Sequence, residues 1–135
     1  METRKRFIPF LTFHGNAEEA MHFYKSVFPD AVIHSITKYE NSQYGEDGKI
    51  LAGIMSIFGQ TIQFLDMGAA HDCPAFSWAT SFLLNCNDLD EYDQIFKNLS
   101  EGGTIMMQAD DFMHYQKVSW VADKFGVTWQ PVLEK

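Results

Sequence analysis

Cysteine is scarce: the 135-residue chain holds two, Cys73 and Cys86. That is too few for the disulfide framework of a small secreted scaffold, so reduced thiols and a cytoplasmic setting are expected. Long apolar runs are missing too. Nothing approaches the ~20 residues of a membrane span. Arg4, Lys5 and Arg6 lead only into a short apolar strand, so no signal peptide is expected. Positive charge is also short: 10 Lys and Arg stand against 18 Asp and Glu, a formal net charge of −8. Such a balance argues against nucleic acid or an anionic membrane as partner. Phenylalanine, by contrast, is abundant at 12 residues, which suggests a broad apolar interior or cavity. With 46% apolar and 21% charged residues the composition is that of an ordinary globular protein, and the length fits one domain, residues 1–135.

The most informative stretch is Ile8 to Phe28, IPFLTFHGNAEEAMHFYKSVF. Ile8 to Phe13 is apolar at nearly every place, as in a strand buried on both faces. His14-Gly15 makes a turn. Asn16 is a good N-cap, with Glu19 three residues on, in the capping-box position. Ala17, Ala20, Met21, Tyr24 and Val27–Phe28 recur at helical spacing, and Pro29-Asp30 ends the helix. The same order returns 72 residues later (88 − 16): Phe10 falls on Phe82, Asn16 on Asp88, Glu19 on Glu91, Tyr24 on Phe96 and Lys25 on Lys97. Agreement that includes both caps and both N3 glutamates reads as an internal duplication.

The rest of the chain fits two β-α-β-β-β modules. In the first (about 7–66), strands are expected over Ala31–Tyr39, Ile50–Phe58 and Thr61–Asp66, with a type II′ turn at Gly59-Gln60. Met67 to Ser77 is the linker, broken by Pro74. In the second (about 78–135), a strand over Thr80–Cys86 precedes a helix over Leu89–Ser100, stopped by Gly102-Gly103. Strands follow over Thr104–Gln108, Lys117–Ala122 and Val127–Leu133, with Ala109–Tyr115 a loop or hairpin tip. The fold class is α+β: a half-open curved sheet, a helix on the outer face of each module, and a central cup of the kind in which ligands sit.

These residues carry a resemblance. PFLTFHGNAEEAMHFYKSVFP, SEGG after the second helix and DKFGVTWQPV at the end resemble the PhnB-like branch of the vicinal oxygen chelate superfamily, often labelled demethylubiquinone methyltransferase-like. That superfamily includes glyoxalases, bleomycin and fosfomycin resistance proteins and ring-cleaving dioxygenases. The resemblance covers nearly the whole chain and implies the glyoxalase-like fold. Its metal-dependent members hold a divalent ion with His and Glu on the first and last strands of each module. Here those places fall on Pro9, Ser81 (9 + 72), Gln63 and Gln130. Proline has no donor atom, and Ser and Gln are weak neutral ligands, so no metal and no cofactor are expected. The methyltransferase label also lacks support, because no G-x-G run follows a strand and no room exists for a doubly wound nucleotide domain.

Alternation with Pro9 and Ser81 assigns Leu11, Phe13, Leu83 and Asn85 to the cup face. Thr128 and Val132 accompany Gln130, and Thr61 and Leu65 accompany Gln63. The set is mostly apolar with a few neutral hydrogen-bonding groups, as small-molecule sites are. Other clusters weigh less. His71-Asp72-Cys73 are adjacent and cannot easily converge on one ion. His114 with Asp110 and Asp111 could form a base and its orienter, though a charged loop tip explains them as well. His14 reads as a turn residue, His22 as an outer-face helix residue and His34 as a strand residue without an evident partner. Cys86 ends a buried strand and reads as packing.

The expectation is a metal-free small-molecule-binding protein, acting as a homodimer, with the ligand and any catalytic residue unspecified. The alternatives are an isomerase, lyase or oxygenase of the superfamily, or a drug-sequestering resistance protein.

Overall fold

The computed structural model describes residues 4–135. The chain divides into two compact units, Met1–Pro74 and Ala75–Lys135, so the division falls inside the expected linker. Unit 1 contains β1 (Phe10–Phe13), α1 (Ala17–Val27), β2 (Val32–Lys38), β3 (Ile50–Ile57) and β4 (Gln60–Asp66). Unit 2 contains β5 (Ser81–Asn85), α2 (Leu89–Ser100), β6 (Thr104–Phe112), β7 (Tyr115–Ala122) and β8 (Thr128–Glu134). Each unit is therefore β-α-β-β-β. The sheets repeat one topology, β1-β4-β3-β2 and β5-β8-β7-β6, with the first strand parallel to the last and all other pairs antiparallel.

In unit 1 the helix buries Ala17, Ala20, Met21, Tyr24 and Val27. Tyr24 meets Phe64 of β4 at 6.1 Å between ring centroids, and Phe64 stacks on Phe13 of β1 at 5.8 Å. Gly53 of β3 lets the helix approach, because a Cβ there would lie 2.5 Å from Met21 Sδ. In unit 2 the helix buries Tyr92, Ile95 and Leu99, and Tyr92 lies against Ser119 of β7. Phe82 of β5 packs on Trp129 of β8 at 5.2 Å, and the buried Asp123 carboxylate accepts from Trp129 Nε1 and from the Phe125 and Val127 N–H groups.

Several expectations are corrected. β1 is not buried on both faces: Phe10 is 54% exposed while Leu11 and Phe13 are buried. The β3–β4 turn has both central residues left-handed, Phe58 at φ 50 and Gly59 at φ 76, which is the type I′ pattern and not type II′. β6 runs on to Phe112 and pairs with β7 down to Tyr115, so the supposed loop over 109–115 shrinks to Met113-His114. β6 is a sheet edge, and its residues are nearly all exposed. That exposure is why no alternation marked it.

The two helix starts also differ. Asp88 accepts from the Glu91 N–H at 2.8 Å, and Glu91 Oε1 accepts from the Asn87 N–H at 2.9 Å. Asn16 makes no side-chain cap bond. Asp66, from the end of β4, does that work: its Oδ1 accepts from the Gly15 and Ala17 N–H groups at 2.8 and 3.0 Å, and its Oδ2 from the Ile50 N–H at 2.9 Å. Asp88→Ala is therefore expected to cost about 1 kcal/mol and Asn16→Ala only a few tenths, read by urea denaturation. Equal losses at the two sites would refute this division.

Candidate functional site

Register assigns each strand position to one of two sheet faces. In unit 2, Ser119 and Val121 face α2, and Val121 pairs with Trp129, which carries Phe82 with it through the parallel pair. The face away from α2 therefore holds Ser81, Leu83 and Asn85 of β5 and Thr128, Gln130 and Val132 of β8, paired in that order. Gln130 Nε2 donates to Ser81 Oγ at 2.6 Å. Thr128 is 2% exposed and Val132 3%, while Leu83 is 49% exposed. β7 adds Val118, which pairs with Val132, and Ala122, which pairs with Thr128. The unbroken register between them sets Trp120 opposite Gln130. The sequence alone does not single out Trp120, because only the β7–β8 pairing ties it to Gln130.

In unit 1 the face away from α1 holds Thr61, Gln63 and Leu65 of β4, which pair with Ser56 and Ile54 of β3 and with Phe10 and Thr12 of β1. Leu11 and Phe13 point the other way, into the core beneath α1, and their assignment to the cup face is corrected. Pro9 precedes β1 and accepts from the Gln63 N–H through its carbonyl. The cause is a one-residue change of parity between the modules. Counted from the helix starts, Phe10 and Phe82 are equivalent, yet Phe10 lies away from its helix and Phe82 toward it. The strand-to-helix joins differ: Gly15 adopts φ +103, whereas residues 86–88 include no left-handed position. A slip of one residue flips every side chain of a strand.

His34 has a partner after all. It sits at a bulge in β2, and its Nε2 lies 3.1 Å from Ser56 Oγ, on the face away from α1. His114 packs tilted against Tyr115 at 4.0 Å between ring centroids, while Asp110 pairs with Lys117 and Asp111 with Lys135, so the expected base and orienter do not meet. A separate cleft of about 240 Å³ in unit 1 is lined by His14, Tyr39, Glu46, Lys49 and Asp66. Asp66 is committed there to backbone N–H groups, and Lys49 Nζ donates to the Gly15 carbonyl at 2.9 Å.

His34 brings an imidazole to the helix-free face of unit 1, but its neighbour is the Ser56 hydroxyl, and neither helix-free face gathers a metal-binding donor set. Among the described residues no three His, Cys, Asp or Glu side chains gather where they could hold an ion. Ser81 and Gln130 satisfy each other, and Gln63 is a neutral amide. Imidazole and carboxylate are what a catalytic divalent ion requires, so these residues do not fit one.

Burial pushes the Cys86 thiol up to about 12, with Glu91 and Asp88 adding to the effect and hydrogen bonding with the Val132 backbone opposing it. Folding therefore gains from the neutral thiol below its ordinary value near 9, and that contribution is lost as pH rises toward 12. Iodoacetamide at neutral pH is expected to label Cys73, which is half-buried, and to spare Cys86 until the chain unfolds. Mass spectrometry showing two adducts on the folded protein would contradict that environment.

A doubled β-α-β-β-β chain with a helix on one face of each sheet is the glyoxalase-like fold of the vicinal oxygen chelate superfamily. Within it, residues 5–132 match the family described as 3-demethylubiquinone-9 3-methyltransferase, and the chain belongs to that family, the PhnB-like branch. A solved structure from Bacillus cereus, described as a putative 3-demethylubiquinone-9 3-methyltransferase, PhnB protein, is 33% identical, with a TM-score of 0.86 over 96% of this chain and 99% of that one. A Pseudomonas aeruginosa protein is 22% identical, with a TM-score of 0.84 over 97% and 98% of the two chains. A fosfomycin resistance protein from Mesorhizobium loti shares the fold at 10% identity and a TM-score of 0.65, covering 98% and 92%. No curated protein matches.

Proposed function

We propose that the chain is a metal-free small-molecule-binding protein of this family, and that its ligand lies on a helix-free sheet face. The observation that carries the reading is the Ser81–Gln130 hydrogen bond of 2.6 Å. Two residues that the resemblance assigns to metal-ligand places of the superfamily here bind each other through neutral groups. Leu83, Asn85 and Thr128 surround them, and Gln63 and Leu65 are the counterparts in unit 1. Apolar area with a few convergent neutral polar groups suits an organic ligand better than an ion. The same neutrality weighs against isomerase, lyase or oxygenase chemistry that needs a Lewis acid at these places. Methyl transfer from a nucleotide-type donor has no sequence feature behind it. We take the two units as one functional domain of a cytoplasmic homodimer. The low thiol content and the open edge strands β2 and β6 motivate that assignment.

Calorimetric titration of Zn²⁺, Ni²⁺ and Fe²⁺, with native mass spectrometry of freshly purified protein, tests this. The expected result is no stoichiometric metal, a dimer mass and a co-purifying or added organic ligand. A submicromolar metal site abolished by Gln130→Ala would overturn the reading and promote the enzyme alternative.

A further inference from the structure

Two buried polar atoms on the helix-free face of unit 2, Trp120 Nε1 and Thr128 Oγ1, have no hydrogen-bond partner among the described residues. A native fold rarely leaves such groups empty, since each costs free energy when it loses water without replacement. Both flank Gln130, one across the β7–β8 pair and one two residues along β8. The indole N–H can only donate, and the Thr128 and Ser81 hydroxyls can donate too. The Gln130 amide spends a donor on Ser81 Oγ and keeps its carbonyl oxygen as an acceptor. No ionisable side chain lies on this face between Ser81 and Asn85, Val118 and Ala122, or Thr128 and Val132. Trp78, 64% exposed and just before β5, stands edge-on to Trp120 at 5.9 Å and 84°, so the two indoles form an aromatic corner beside these groups.

We propose that this corner takes an uncharged, flat carbonyl compound whose oxygen accepts from Trp120 Nε1 and Thr128 Oγ1, an inference that rests on the small-molecule reading above. A lactam fits the pattern fully, because its N–H supplies the donor that the Gln130 carbonyl needs. A carboxylate would enter a patch with no cation to meet it, and burying an unpaired charge is costly. A hydrocarbon would leave the same two donors empty. Both atoms are buried as they stand, so the compound enters by displacing the side chains that cover them.

The test uses the full chain with isotope-labelled tryptophan and three probes of one shape: carbostyril, a neutral lactam; naphthalene, without polar atoms; and naphthoate, an anion. Carbostyril is expected to move the Trp120 indole N–H resonance downfield and to leave that of Trp129, already bonded to Asp123 Oδ2 at 2.9 Å, in place. Its affinity should exceed that of naphthalene about tenfold, the worth of one or two net hydrogen bonds. Trp120→Phe or the near-isosteric Thr128→Val should shrink that ratio, and Thr128→Val should do so without lowering the melting temperature. If carbostyril binds with the Trp120 resonance unmoved, or naphthoate binds most tightly, the ligand class is overturned while small-molecule binding stands. If no probe moves an indole resonance at its solubility limit, both the class and the use of this face fall.

Discussion

Asp66→Ala is expected to lose about 4 kcal/mol of folding stability, because two buried N–H groups are orphaned at roughly 1–3 kcal/mol each and a third is part-buried. The carboxylate is 2% exposed and ties together three places far apart in the chain. Oδ1 holds the turn and first residue of α1 through Gly15 and Ala17, and Oδ2 holds the start of β3 through Ile50. The Asp66 carbonyl accepts from the Tyr39 hydroxyl at 2.9 Å, which adds the residue just after β2 to the same knot. Asp66→Asn separates charge from shape. Its amide oxygen can keep Gly15 and Ala17, but its NH₂ then faces the Ile50 N–H, donor against donor. It should lose about half as much as alanine, still well above an ordinary surface change of roughly 0.5 kcal/mol. Urea denaturation of both variants beside Asp72→Ala, an exposed loop control, decides the matter. A loss below about 1 kcal/mol for Asp66→Ala would mean that water replaces the carboxylate at little cost.

The order of elements was legible in the sequence because period and punctuation agreed. Helical spacing from Ala17 to Val27, the Asp88–Glu91 cap and the Gly102-Gly103 stop are local signals, and each survives in the structure. Gly102 adopts φ +76 just past α2, where a helix end favours glycine. What stayed hidden was long-range. The cap of α1 comes from Asp66, some fifty residues away, and no local pattern announces it. Asn16 has the right chemistry for a cap but is preempted. β6 carries no alternation because it is an exposed edge, so local pattern does not show its full length. Trp120 could have been found from the alternation Val118, Trp120, Ala122, but only once β7 had been paired with β8.

The parity of β1 is the sharpest of these differences, and it fixes which residues can meet a ligand. Phe13→Ala is expected to cost about 3–5 kcal/mol, the range for deleting a buried aromatic ring. Phe13 is 2% exposed, stacks on Phe64, and through it supports Tyr24 of α1. Phe10, three residues earlier on the opposite face and 54% exposed, should lose no more than about 0.5 kcal/mol on the same change. The opposite assignment, with Leu11 and Phe13 lining a ligand site, makes the reverse forecast: Phe13→Ala would weaken binding while leaving the fold intact. Chemical denaturation of the two variants distinguishes the readings without any ligand in hand. Comparable small losses at both positions would return Phe13 to the candidate site. A large loss at Phe13 alone leaves the neighbours of Phe10, namely Thr12, Gln63 and Leu65, as the strand residues of unit 1 open to a ligand. These are the side chains whose substitution should then alter binding while the core beneath α1 stays whole.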